Sequence, residues 1–180
     1  MDVIAGGIPY SACESDASLC GGSDSQAETT HYSEQIKQAY NKGIAYLARR
    51  EYSAKELEQR LLQKEFSFSV VEQTLKKLSD DGYQSDERFT EMYIRSRVSA
   101  GDGPFKIKIS LREKGICESL ALAIMDTQEI DWREQAKLLK NKRFGPVCES
   151  PEALAKQMRY LKNKGYYQDD IKAVIQLAIC

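Results

Sequence analysis

The chain has 180 residues, of which 42% are hydrophobic and 29% charged, and its formal net charge is −1. That is enough chain to bury a core, either as one domain or as a short array of small units. No apolar run approaches the roughly 20 residues needed to span a bilayer, and the first residues lack a basic stretch followed by a long apolar one, so a cytoplasmic protein without a membrane partner is expected.

Residues 1–32 are rich in Gly, Ser, Ala and Asp and poor in large apolar side chains. Such a segment cannot bury enough surface to offset its ordering entropy, and it is expected to be a disordered acidic leader. Residues 1–34 carry six acids and no lysine or arginine, which leaves 26 basic against 21 acidic residues for 35–180. A body of net +5 behind an acidic leader suits contact with a polyanion or with an acidic groove on a protein.

From Ser33 onward the apolar residues recur at helical spacing and alternating β-branched runs are absent, so the fold is expected to be all-α. Ile36, Tyr40, Ile44 and Leu47 mark a first helix ending near Glu51. Ser53 with Glu56 forms a capping box for a second, which carries Leu57, Leu61 and Leu62. A third runs from about Ser69 to Asp81 and stops at Gly82. A fourth starts at Ser85 or Asp86 and breaks at Gly101-Asp102-Gly103-Pro104, where Pro104 opens the fifth as its first residue. Gly115 ends that helix, and a short sixth covers about 117–126. Asp131 with Glu134 caps the seventh, whose break is Phe144-Gly145-Pro146. Ser150-Pro151-Glu152 starts the eighth, and the ninth begins near Gln168, burying Ile171, Val174 and Ile175.

One word recurs at a spacing of fifty residues: Leu61-Leu62-Gln63-Lys64-Glu65, Leu111-Arg112-Glu113-Lys114-Gly115 and Leu161-Lys162-Asn163-Lys164-Gly165. A period of this length marks one supersecondary unit used repeatedly. The expected architecture is three tandem three-helix repeats, 33–83, 84–129 and 130–180, in an elongated, curved array. Glu65 stands where the other copies have glycine, and should strain that stop if it must be left-handed.

Catalysis lacks raw material. There is no phosphate-binding or nucleophile-elbow motif, and the acids lie at helix ends, where capping and solvation explain them. His31 falls in the leader. Five scattered cysteines (Cys13, Cys20, Cys117, Cys148 and Cys180) without a C-x-x-C pair read as free thiols, so neither a metal nor a cofactor is expected. The basic residues carry more. Arg88, Arg95, Arg97, Lys106, Lys108, Arg112 and Lys114 gather in the second unit, with Lys108 and Arg112 one turn apart on one face. Lys142, Arg143, Lys156, Arg159, Lys162 and Lys164 gather in the third, joined there by Lys137 and Lys140. These are the candidate contacts to a partner or to nucleic acid. For the lysines at the helix stops, Lys64, Lys114 and Lys164, complementing the helix dipole is an equal explanation.

The ordered words Gly82-Tyr83-Gln84-Ser85-Asp86-Glu87-Arg88-Phe89, Tyr93-Ile94-Arg95-Ser96-Arg97, Gly103-Pro104, Lys114-Gly115-Ile116, Ile130-Asp131-Trp132, Lys142-Arg143-Phe144-Gly145 and Arg159-Tyr160-Leu161 resemble the regulatory protein RecX family over about residues 40–178. The resemblance implies tandem three-helix repeats; together with the repeats and the missing catalytic residues it points to a non-enzymatic protein, and a monomer is expected. The resemblance also implies binding to the RecA–DNA filament, with inhibition of ATP hydrolysis and strand exchange as the usual outcome, and direct contact with single- or double-stranded DNA in some members. The family commonly has an aromatic residue between the two turn glycines, where this chain has Asp102. The helix that follows is usually arginine-rich; here it reads Lys106-Ile107-Lys108, so bidentate recognition is lost there. A stand-alone DNA-binding protein that reads phosphates through its basic face is the alternative, predicting strongly salt-dependent DNA binding. A scaffold for another protein is a third reading.

Overall fold

The computed structural model describes residues 24–145 and 150–176, with side chains placed for 30–145 and 150–175. Among the described residues there are nine helices and no strand: α1 Asp24–Leu47, α2 Ala54–Leu62, α3 Phe68–Asp80, α4 Asp86–Ser99, α5 Pro104–Glu113, α6 Glu118–Thr127, α7 Trp132–Phe144, α8 Pro151–Lys164 and α9 Gln168–Gln176. None is long and apolar enough to cross a membrane.

The caps fall where side-chain oxygens meet free N–H groups. Ser53, Ser67, Ser85 and Ser150 each accept a bond from the backbone N–H three residues on, and Asp131 accepts from both Arg133 and Glu134. Pro104 and Pro151 occupy the first turns of α5 and α8, where a missing N–H costs nothing. Two boundaries differ from expectation. The first helix ends at Leu47 and not near Glu51, and it begins at Asp24, inside the stretch expected to be a disordered leader. Ser25 to Tyr32 is rich in residues that tolerate a helix, and Tyr32 packs on the first core with Ile36 and Tyr40, which draws the helix back toward the N-terminus. His31 therefore sits, exposed, on α1. The remainder of the leader, Pro146, Cys148 and Cys180 lie outside the described residues.

Extensive helix packing falls into three sets, α1–α3, α4–α6 and α7–α9, and each set encloses its own buried cluster. The middle helices α2, α5 and α8 contribute Leu61, Leu111 and Leu161 at the repeat position, all three fully buried. Burying one leucine is worth about 1.5–3 kcal/mol, so the same residue anchors the same helix in each unit. Trp132 borders both the second and the third cluster.

Candidate partner-binding surface and the joints beneath it

The units meet at two joints that are the same device displaced by fifty residues. At the first, the stop of α5 docks on the start of α2. The Ser53 hydroxyl donates to the Lys114 carbonyl at 2.8 Å while accepting from the Glu56 N–H at 3.2 Å, so one buried group both caps α2 and receives the next unit. Lys55 donates to the Glu113 carbonyl at 3.0 Å. At the second, the stop of α8 docks on the start of α5: the Gly103 N–H donates to the Lys164 carbonyl at 2.7 Å and the Phe105 N–H to Gly165 at 3.1 Å. Gly115 and Gly165 both have positive φ, and both stand against the neighbouring helix. A β-carbon would meet Lys55 Cβ at 2.8 Å in one case and Lys106 Cβ at 2.5 Å in the other. The glycines of the repeat serve close approach as well as the left-handed turn.

Charge closes both joints. Lys114 pairs with Glu56, which also holds Arg50 at 3.2 Å. Burial alone would raise the Glu56 pKa, but the hydrogen bond and charge of Lys114, with Arg50 behind them, hold it below the usual range. At the second joint Asp102, only 2% exposed, takes Arg97, Lys106 at 2.9 Å and Lys164 at 3.6 Å. Here too burial works upward and is outweighed, by Lys106 and Arg97, so the carboxyl's pKa lies below its ordinary value. Tyr166 next to it is pushed up to about 12 by burial and by the Asp102 charge. Asp86 and Gln84 add a polar bridge at the first joint: the Ala54 N–H and the Gln84 amide both donate to Asp86 Oδ1 at 2.9 Å.

The thirteen candidate cations thus divide. Arg97, Lys106, Lys114 and Lys164 are spent inside the molecule, so the lysines at the second and third stops act as joint residues beyond any dipole effect. Arg88 pairs with Glu51 at 3.0 Å and donates to the Tyr83 carbonyl, and Arg95 has Glu91 at 3.7 Å on its own helix. Arg143 lies over the Tyr160 ring at 4.7 Å, while Lys142 is exposed beside the turn at Gly101. Five others make no ion pair within the described residues. Lys108 and Arg112 line a cleft between α5 and α6 with Phe105, Ile109, Ala121 and one carboxylate, Glu118, and Lys108 stands 5.5 Å from the Tyr167 ring. Lys156, Arg159 and Lys162 run exposed along α8.

A cluster with free cations and exposed aromatics (Phe105 52%, Tyr167 42%) can hold an acidic or phosphate-bearing surface; no nucleophile and base are brought together in it. Ser53, Glu56 and Asp102 are the residues whose part in the joints sequence reasoning misses: the first two read only as a helix cap and the third only as a departure from the family pattern. The fifty-residue offset relates the two joints to each other, Ser53 to Gly103 and Lys114 to Lys164, but does not show which residues pair across them.

Comparison with known proteins agrees with this geometry. Residues 39–78 match the pattern described as RecX, first three-helix domain, and residues 85–123 that of the second three-helix domain. The regulatory protein RecX of Halorhodospira halophila is 32% identical over 81% of this chain and 89% of its own length. That of Acinetobacter baylyi is 40% identical over 73% of this chain and 82% of its own. The chain belongs to the RecX family. A crystal structure of RecX from Lactobacillus salivarius shares 25% identity and superposes with a TM-score of 0.70, covering 80% of this chain and 96% of that one. Unit 1 and unit 2 of the present structure are thus RecX three-helix domains, and the residues that join them, Ser53, Lys55 and Glu56 on one side and Glu113 and Lys114 on the other, lie inside the two matched segments.

Proposed function

We propose that this RecX-family chain is a non-enzymatic modulator of the RecA recombinase, an inhibitor that binds the RecA–DNA filament and limits its ATP hydrolysis and strand exchange. The observation that supports this reading is the division of cations. The joints consume the lysines they need, and what is left over, Lys108 and Arg112 on α5 with Lys156, Arg159 and Lys162 on α8, belongs to two consecutive units. Long, regularly repeated polyanionic surfaces are what an array of this kind fits.

The test adds the purified protein to RecA on single-stranded DNA and follows ATP turnover and strand exchange. Inhibition at stoichiometric levels is expected. The pair Lys108→Glu and Arg112→Glu should raise the amount required about tenfold, equivalent to roughly 1.4 kcal/mol of binding, without altering thermal stability. An unchanged requirement removes the α5 surface from the reading. Tight DNA binding without RecA, falling steeply with salt, would favour a stand-alone DNA-binding protein instead.

A further inference from the structure

The two joints are copies, yet their chemistry is exchanged. Position 52, a buried tyrosine stacked beneath Arg50 at 3.7 Å, corresponds by the fifty-residue offset to Asp102. Position 56, the glutamate that neutralises Lys114, corresponds to Lys106. The second joint has therefore lost the carboxylate of the first and gained a lysine in its place. Lys106 and Lys164 would face each other, with Arg97 from the end of α4 pointing at the same spot. Asp102 sits among all three and is buried.

We infer that Asp102 is the positioning residue of this molecule: it fixes unit 3 on unit 2, and through that fixes the spacing between the free cations of α5 and those of α8. The groups facing it are Arg97 from α4, Lys106 from α5 and Lys164 from the stop of α8, with the Tyr166 ring beside them. Removing the carboxylate leaves Arg97, Lys106 and Lys164, whose side chains are partly exposed, converging without the anion that gathers them. The charge network that closes the joint is then lost, and like charges face one another across it. Besides the charges the joint has two backbone hydrogen bonds, from Gly103 and Phe105, and a longer one from the Lys164 ammonium to the Ala100 carbonyl at 3.4 Å. Phe105 makes an edge contact on Tyr167, Gly101 and Gly103 approach Leu139 and the Gly165 backbone, and Trp132 borders both clusters. Because each unit keeps a core of its own, such a joint opens as a local event before either unit unfolds. The positional claim stands without any partner; only its consequence for binding rests on the proposed function.

Amide hydrogen exchange on the full chain reads the joint directly. In Asp102→Asn the Gly103 and Phe105 amides, which donate across the joint, should exchange at least about tenfold faster. The Ala54 amide, held by Asp86 at the first joint, and the helix-core amides of α2 should keep their wild-type rates. Adding Lys106→Glu to Asp102→Asn restores a carboxylate at the position Glu56 occupies in the first joint, and should return the two rates most of the way. If Asp102→Asn folds poorly, Lys164→Gln, which removes one cation and one partner of Asp102, should produce the same local acceleration in weaker form. Unchanged Gly103 and Phe105 rates overturn the inference, as does acceleration spread evenly over all slow amides, which would mark a loss of global stability. Failure of Lys106→Glu to slow the exchange would remove charge as the cause. A RecA assay with these variants is then a separate question: a joint that opens as expected without any change in inhibition would overturn the proposed function's use of both units and leave the positioning role intact.

Discussion

Glu65 places a β-carbon at φ 65°, in the left-handed region where Gly115 and Gly165 stand at 86° and 90°. The conformation is the one the repeat demands, because the stop of α2 is the same turn as those of α5 and α8: the Glu65 N–H bonds back to Leu62 as Gly115 does to Arg112. What differs is the surroundings. Gly115 and Gly165 lie against a preceding unit's middle helix, and Glu65 is exposed, with no such helix before it among the described residues. The side chain is tolerated sterically, and only the backbone strain remains, of order 1 kcal/mol for a left-handed non-glycine residue. Glu65→Gly should therefore raise stability by about 1 kcal/mol, seen as a higher urea midpoint at unchanged slope. Gly115→Ala should do the reverse and more, since its β-carbon meets Lys55 at 2.8 Å. The strain at Glu65 could be read from the sequence by comparing the copies. The reason it is permitted there could not, because that depends on which copy has a neighbour.

At the scale of elements, the helices were legible because their signals are local. Apolar spacing of three and four residues, serine and aspartate caps, and prolines at first turns act within a few residues of one another. Leu61, Leu111 and Leu161 were recognisable as core anchors for the same reason. The joints were not legible, since the Ser53 hydroxyl finds the Lys114 carbonyl sixty-one residues away, and no periodicity encodes such a pairing. For the same reason positive charge on Arg97, Lys106, Lys114 and Lys164 was visible, but its neutralisation by Asp102 and Glu56 was not. Asp102 itself showed only as a departure from the family's aromatic residue. The start of α5 supplies a test of joint packing free of charge. Gly103 has an ordinary φ of −85°, so alanine suits its backbone, but a β-carbon would lie 2.5 Å from the Gly165 backbone. That contact cannot be relieved by turning a side chain. Gly103→Ala should preserve helix content in circular dichroism and cost about 1–3 kcal/mol as overpacking does, with the loss read from thermal unfolding. A neutral effect would mean that the joint accommodates a wider gap than its two backbone hydrogen bonds suggest.

For the molecule as a whole, the consequence of holding three small cores together with ionised carboxylates is a defined dependence on pH. Glu56 and Asp102 both have folded pKa values below their ordinary ones, so the unfolded chain binds protons more readily than the folded one in the acid range. Their contribution is fully present above the ordinary carboxylate values near 4 and is lost as pH falls through the lower folded values. Tyr166 works from the other side. Its folded pKa of about 12 exceeds the unfolded value near 10, so its contribution is complete below that value and disappears as pH rises toward the folded one. These three groups thus add no slope across neutral pH, and the second joint is exposed at both limits because Asp102 and Tyr166 share it. The first joint has only the acid limb. Glu56→Gln separates them: at neutral pH it removes the charge that Lys114 and Arg50 answer to and lowers the urea midpoint. As the wild-type carboxyl becomes protonated at low pH the two proteins should converge, while at high pH their difference should stay constant. A difference that persists undiminished in acid would show that Glu56 contributes through packing, and that the lysine of the repeat owes its place at the first joint to something other than charge.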